Sequence, residues 1–257
     1  MFPVLLKIGP VTLYSYGLMI ATAFLVGALL ISKRAEIEGE DPQKALDLAF
    51  YCIVAALIGS RLLYVIVEWE SYISRPLNVF KVWEGGLVFY GGFIGAALTG
   101  FWFVRKEKLH PWKMADLAAP SIALGHSIGR LGCLFAGCCY GGPTDSWIGI
   151  TFTDPMAIAP KGIALYPTQL FESFVEFSIF LVLIAVRPHK KFHGQLFLMW
   201  MFLYALGRFI VEFFRGDDRG AFMFGFSPSQ SIAIAVFLLA GILLTKLLSS
   251  NRNSKKL

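Results

Sequence analysis

The chain has 257 residues, 56% of them hydrophobic and only 16% charged, with a mean hydropathy of +0.65 and a formal net charge of +6. A soluble domain carries roughly 25% charged residues, so this chain has too little polar surface to cover a globule in water. Its basic excess does not point to nucleic acid, because lysine and arginine gather in alternate loops between long apolar blocks.

A hydrocarbon core takes about 20 apolar residues to cross. Blocks of that length predict membrane helices at 13–32, 45–67, 86–104, 115–136, 168–187, 195–214 and 228–248. Seven spans use most of the chain, so residues 1–257 are expected to form a single transmembrane domain, all-α and polytopic. No cleavable leader is expected, since the first block is too long for a signal core and no small-residue cleavage site follows it. Fourteen basic residues follow the odd-numbered spans: Lys33, Arg34, Lys44; Arg105, Lys106, Lys108, Lys113; Arg187, Lys190, Lys191; Lys246, Arg252, Lys255, Lys256. The opposite set holds six: Lys7, Arg75, Lys81, Lys161, Arg215 and Arg219. The positive-inside rule then places the N-terminus outside and the C-terminus in the cytoplasm. The basic loops serve as topology signals and as contacts for anionic membrane lipids.

Three arginines remain inside predicted spans: Arg61, Arg130 and Arg208. Each costs about 2.5–3.5 kcal/mol on insertion scales. The derived orientation puts all three in the outer half of the bilayer, with Glu212 one turn beyond Arg208. The inward-running spans begin at Tyr14 and Tyr16, at Glu84 to Tyr90, and at Tyr166 to Glu172. A cavity open to the outer leaflet is expected where these groups converge. Arginine's planar fork of donors suits phosphate oxygens, so a phospholipid head group is the expected anion. The competing reading is internal ion pairing, as for Arg208 and Glu212, which are four apart on one helix face.

The stretch GHSIGRLGCLFAGCCYGG, Gly125–Gly142, is the densest in small and polar residues. Gly125 with Gly129, and Gly137 with Gly141, form small faces that let helix backbones approach. His126 shares a face with Arg130, either as a polar core residue or as part of a site. Cys133, Cys138 and Cys139 resemble a metal set with His126, but zinc sites usually come as spaced cysteine pairs, and no metal is expected. They read instead as small packing residues, or as partners in a disulfide on the oxidising face. In YPTQLFE, Tyr166–Glu172, Pro167 and Thr168 fit a helix start and cap, whereas capping does not explain Glu172 inside an apolar span. Gly91, Gly95 and Thr99 continue a small face from GGLVFYGG, Gly85–Gly92, suited to packing or to substrate contact.

Six segments in this order resemble the bacterial prolipoprotein diacylglyceryl transferases: IGPVTLYSYGLM at Ile8–Met19, SRLLY at Ser60–Tyr64, VWEGGLVFYGG at Val82–Gly92, GRLG at Gly129–Gly132, YPTQLFE, and YALGRFIVEFFR at Tyr204–Arg215. The resemblance implies seven helices in the bacterial cytoplasmic (inner) membrane and an active site toward the outer leaflet. It implies transfer of the diacylglyceryl group of phosphatidylglycerol to the lipobox cysteine of a prolipoprotein, with glycerol phosphate leaving and no metal or organic cofactor. By position, Tyr16, Arg130, Gly141, Tyr204, Arg208 and Glu212 match family site residues. Arg130 and Arg208 are expected on the phosphate, with Glu212 orienting Arg208 and a tyrosine on a glyceryl oxygen. Arg61, Tyr90 and Gln169 are expected as further substrate contacts. The family usually has histidine at Tyr90 and Tyr166, asparagine at Cys133 and glutamate at Cys138, so His126 is expected to replace the missing histidine as proton acceptor. The changed set leaves open a different phospholipid-dependent transferase on the same scaffold. A lipid transporter or flippase is a further alternative.

Overall fold

The computed structural model describes residues 2–9, 11–73, 75–81, 85–218 and 225–254. Pro10, Val82, Trp83, Glu84, Arg219, Lys255 and Lys256, which entered the sequence reading, lie outside them. Eight α-helices are present among the described residues: α1 Ser15–Ile37, α2 Pro42–Val67, α3 Trp69–Ile73, α4 Phe89–Lys106, α5 Pro111–Ala136, α6 Thr168–Val186, α7 Gln195–Glu212 and α8 Pro228–Ser254. All but the short α3 fall on the seven expected blocks. Five of them are long and apolar enough to cross a membrane: α1, α2, α6 with its 3-10 extension to His189, α7, and α8 to Asn251. In α2 only 6% of the apolar window is buried within the protein, so its apolar surface must be covered by something other than its own chain. Helices α4 and α5 fall outside that group. The first ends on Arg105 and Lys106, and the second carries Lys113, Asp116, His126 and Arg130.

The all-α expectation needs one correction. Val4–Ile8 (β1) and Val11–Tyr14 (β2) pair as an antiparallel hairpin, and Ile150–Thr151 (β3) pairs with Ala164–Leu165 (β4). The hairpin takes up residues 11–14, which delays α1 to Ser15. Gly9 supplies the positive φ of +56° at its turn.

The chain divides into two compact units, residues 31–114 and residues 1–30 with 115–257. In the first, α2 starts cleanly because Asp41 accepts from the Gln43 and Lys44 amides and Pro42 needs no partner for a missing N–H. Helices α2 and α4 then meet backbone to backbone. A Cβ at Gly59 would stand against the Gly91 carbonyl, one at Gly91 against the Gly59 carbonyl, and one at Gly95 against the Ala55 carbonyl. The small face from Gly91 is therefore used for packing.

In the second unit, Ala119 and Ala123 of α5, Ile179 and Leu183 of α6, and Leu196 of α7 form one buried cluster. Phe202 of α7 stacks on Phe237 of α8 at 4.2 Å. Asp116 ties α5 to the start of α7, accepting from the Gly194 amide at 2.8 Å and the Phe197 amide at 3.1 Å, with Lys190 Nζ at 3.7 Å. Asp116→Ala strands those buried donors and should cost about 2 kcal/mol. Thermal unfolding in detergent measures this, and an unshifted midpoint would discount the tie.

Candidate active site

Helix α5 ends at Ala136, so Gly137 and Gly141 form no helix face, contrary to the expectation. Gly137 turns the chain at φ +70° into residues 137–167, a connection with its own core of Leu134, Phe152, Ala157, Ala159 and Leu165. The Gly141 amide bonds the Tyr166 carbonyl at 3.0 Å, the Gly142 amide the Phe214 carbonyl at 2.9 Å, and the Gly216 amide the Tyr140 carbonyl at 3.1 Å. A side chain at Gly141 would press on the Tyr166 carbonyl. These bonds draw the ends of α5, α6 and α7 together. Within two turns of those ends stand Arg130, Glu172, Arg208 and Glu212.

Glu172 of α6 is the hub. It is 4% exposed, yet it contacts both Arg130 of α5, at 2.6 Å from Nε, and Arg208 of α7. Arg208 also pairs with Glu212 at 2.9 Å and reaches Ser229 Oγ at 3.3 Å. The Ser227 hydroxyl donates to Glu212 at 2.7 Å, which anchors that carboxylate from the start of α8. The i,i+4 pair of Arg208 and Glu212 is as the spacing suggested.

His126 sits between Arg130 and a residue the sequence reading passed over, Glu176. Arg130 Nε donates to His126 Nε2 at 3.1 Å, and His126 Nδ1 lies 2.6 Å from Glu176 Oε1. A guanidinium cannot accept, so Nε2 is the acceptor and the ring proton resides on Nδ1. Arg130's Nε–H is thus aimed at the imidazole, and its contact with Glu172 Oε2 is one of charge without a hydrogen bond. Both ring nitrogens of His126 are engaged, so its lone pair becomes available only when Arg130 turns away. Arg130 donates its side-chain hydrogen bond through Nε, and among the described residues no hydrogen bond engages its two terminal nitrogens. The signal for Glu176 was present: an acid one turn after Glu172, inside an apolar span.

Tyr204 lies edge-on to the His126 ring at 5.5 Å and stacks on Trp200. A small cleft between α6 and α7 is lined by Glu172, Glu176, Tyr204, Gly207 and Arg208. Tyr16, in the first turn of α1, faces Gly132, where a Cβ would stand 3.3 Å from its ring. Gln169 is fully buried and donates to the Cys138 carbonyl at 2.8 Å. Thr168 is not the cap expected of it: it is the first helical residue, and its hydroxyl donates to the Cys139 carbonyl at 2.8 Å. The start of α6 therefore clamps the loop that carries the cysteines. Cys133, Cys138 and Cys139 remain free thiols whose sulfurs lie within 4.8 Å of one another. Hydrogen bonds from the Cys133 and Cys138 thiols, with Arg130 and Arg215 nearby, lower the Cys139 thiol below the ordinary range.

Two expected contacts belong to the other unit. Arg61 gives its Nε and both terminal nitrogens to backbone carbonyls: Val79 at 2.9 Å, Asn78 at 2.6 Å, Gly85 at 2.6 Å and Gly86 at 3.1 Å. It also lies against the Tyr64 and Tyr72 rings. Its guanidinium thus ties the backbone of Asn78 and Val79 to that of Gly85 and Gly86. Tyr90 is exposed in the first turn of α4, edge-on to Phe89.

Apolar helices fit for a bilayer, with two guanidinium groups and three carboxylates held among them, define a multi-pass membrane protein with a charged internal site. The chain belongs to the prolipoprotein diacylglyceryl transferase family, whose model matches residues 3–246. It is similar to phosphatidylglycerol–prolipoprotein diacylglyceryl transferase 2 of Clostridium perfringens, at 39% identity over 90% of each chain. It is also similar to the phosphatidylglycerol–prolipoprotein diacylglyceryl transferases of Clostridium tetani, at 36% over 93% of this chain and 95% of the relative, and of Halalkalibacterium halodurans, at 35% over 94% and 84%.

Proposed function

We propose that this chain transfers the diacylglyceryl group of phosphatidylglycerol to the lipobox cysteine thiol of a prolipoprotein, at the outer leaflet of the bacterial cytoplasmic membrane. Seven helices cross the bilayer as one membrane domain, α4 and α5 completing the five apolar enough to do so alone. The N-terminus is outside and the C-terminus inside, in keeping with the basic loops. The observation that carries the reading is Arg130, anchored through Nε by His126 and Glu172 while, among the described residues, no hydrogen bond engages its terminal nitrogens. A guanidinium fixed through Nε, with two terminal nitrogens to offer, suits a phosphate whose charge grows as it leaves.

Arg208, held by Glu172 and Glu212, supplies the second positive charge. Tyr16 and Tyr204 bond glyceryl oxygens, while Gly141 and Gln169 keep the loop beside the acceptor thiol. When the phosphate draws Arg130 off Nε2, His126 gains the lone pair to accept the thiol proton, with Glu176 stabilising the imidazolium. The sulfur attacks the glyceryl carbon, the carbon–oxygen bond to phosphate breaks, and glycerol phosphate departs with the electron pair.

Purified protein in detergent, given acyl-labelled phosphatidylglycerol and a lipobox peptide, should add a diacylglyceryl mass to the peptide. Arg130→Ala should lower that rate by roughly 1,000-fold and His126→Ala by about 100-fold. Folded wild-type protein that binds phospholipid without modifying the peptide would overturn the reading and point to another nucleophile. A fully active His126→Ala enzyme would remove histidine from the proton step.

A further inference from the structure

Three thiols are gathered beside Arg130, and the transfer step above gives them nothing to do. Cys133 lies on the last turn of α5, Cys138 and Cys139 on the loop that follows, and all three sulfurs fall within 4.8 Å of one another. The arrangement is built in from several sides. The Cys138 amide bonds the Cys133 carbonyl at 3.1 Å, while Gln169 and Thr168 hold the carbonyls of Cys138 and Cys139. Cys139 adopts φ +60°, a left-handed conformation that costs a residue with a Cβ about 1–2 kcal/mol. Packing three small side chains requires none of this.

A thiophilic divalent ion fits the chemistry of the set. Zinc binds thiolates at about 2.3 Å, which in a tetrahedron sets the sulfurs about 3.8 Å apart, compatible with sulfurs that all lie within 4.8 Å of one another. Three protein ligands leave the fourth position open, as in catalytic rather than structural zinc sites. Three thiolates on a divalent ion carry a net charge of about −1, and Arg130 and Arg215, themselves paired with Glu172 and Asp217, stand within electrostatic reach of Cys139. The three thiols also lie close to the charged site. Arg130 is three residues from Cys133 on α5, and Gln169, clamping the thiol loop, is three residues from Glu172, holding Arg130.

We propose that Cys133, Cys138 and Cys139 bind one zinc ion, which takes the acceptor cysteine's thiol as its fourth ligand and holds it as the attacking thiolate. The proposal rests on the transferase reading above and names how its nucleophile is activated. On coordination the thiol gives its proton to His126 or to water. The zinc-bound sulfur forms its bond to the glyceryl carbon as the carbon–oxygen bond to phosphate breaks, the electron pair leaving with glycerol phosphate. Zinc remains divalent throughout, and the thioether product, a far weaker ligand than a thiolate, vacates the fourth position.

The test uses the full-length protein in detergent with thiols kept reduced, stripped with a chelator and reloaded with Zn(II) or, as a spectroscopic probe, Co(II). One metal per chain is expected by elemental analysis, with cobalt–thiolate charge-transfer absorption. Cys133→Ser, Cys138→Ser and Cys139→Ser should each weaken binding by at least about 100-fold. A lipobox peptide should shift the cobalt ligand-field bands of the wild-type protein, and its Cys→Ser version should not, a readout that requires no variant to fold. Stripping should abolish transfer and zinc restore it. Metal loading that is negligible, or indifferent to the three substitutions, overturns the proposal. Full transfer by stripped protein overturns it while leaving the transferase reading standing. A thiolate-bound metal whose bands shift with the peptide, without any transfer from phosphatidylglycerol, supports the site and overturns the reaction assigned above.

Discussion

Glu172→Gln should lower transfer by roughly 1,000-fold and at the same time reduce the unfolding free energy by about 3–5 kcal/mol. Glu172 is 4% exposed and, among the described residues, is the one carboxylate that touches both Arg130 and Arg208. An amide of the same size leaves the packing alone and removes only the charge. Arg130 then keeps His126 through Nε but has no counter-charge, and Arg208 keeps Glu212 alone. An uncompensated guanidinium away from water is far more costly than a missing pair. The two effects separate in a double variant. Adding Arg208→Met to Glu172→Gln removes one stranded charge and should recover part of the stability while activity stays lost. Transfer to a lipobox peptide and thermal unfolding in detergent read the two quantities. A Glu172→Gln protein with wild-type activity and midpoint would dismiss the hub.

The second large effect is expected far along the sequence, at Gly91. A Cβ there meets the Gly59 carbonyl and stands 2.6 Å from Leu63 Cβ, so α2 and α4 would have to separate along their contact. Overpacking usually costs about 1–3 kcal/mol, and backbone cannot yield as a side-chain end can. Gly91→Ala should therefore sharply lower the yield of monodisperse protein and its unfolding midpoint. Gly100→Ala, on the same helix, meets the side-chain atoms Cys52 Sγ at 3.4 Å and Leu48 Cδ1 at 3.9 Å and should be tolerated. Equal behaviour of the two variants in size-exclusion and melting would mean that α2 and α4 are not packed this way.

The placement of the helices was determined by sequence, for a simple reason. Burying a backbone in hydrocarbon demands internal hydrogen bonding over the full thickness, and a helix answers that demand with an apolar run of fixed length. The seven long helices accordingly fall on the seven apolar runs. Pairs within one helix were legible too, as with Arg208 and Glu212, since a spacing of four is geometry. The hairpin formed by Val4–Ile8 and Val11–Tyr14 was harder to see, because short apolar stretches suit a strand or the start of a helix equally.

Contacts between elements were decided only by tertiary structure. Three arginines inside apolar runs look alike in sequence, yet Arg61 bonds four backbone carbonyls of its own unit, Arg208 pairs with carboxylates on two helices, and Arg130, among the described residues, hydrogen-bonds through Nε alone. Thr168 reads as a cap and is instead a clamp on the Cys139 carbonyl. Cys133, Cys138 and Cys139 read as packing residues and are brought together by a left-handed residue and a loop pinned from α6. The physical reason is the same in each case. A side chain's partners are set by which helices touch and in what rotation, and that depends on every close approach in the fold, while the residue's own neighbours in sequence fix only the element it stands on.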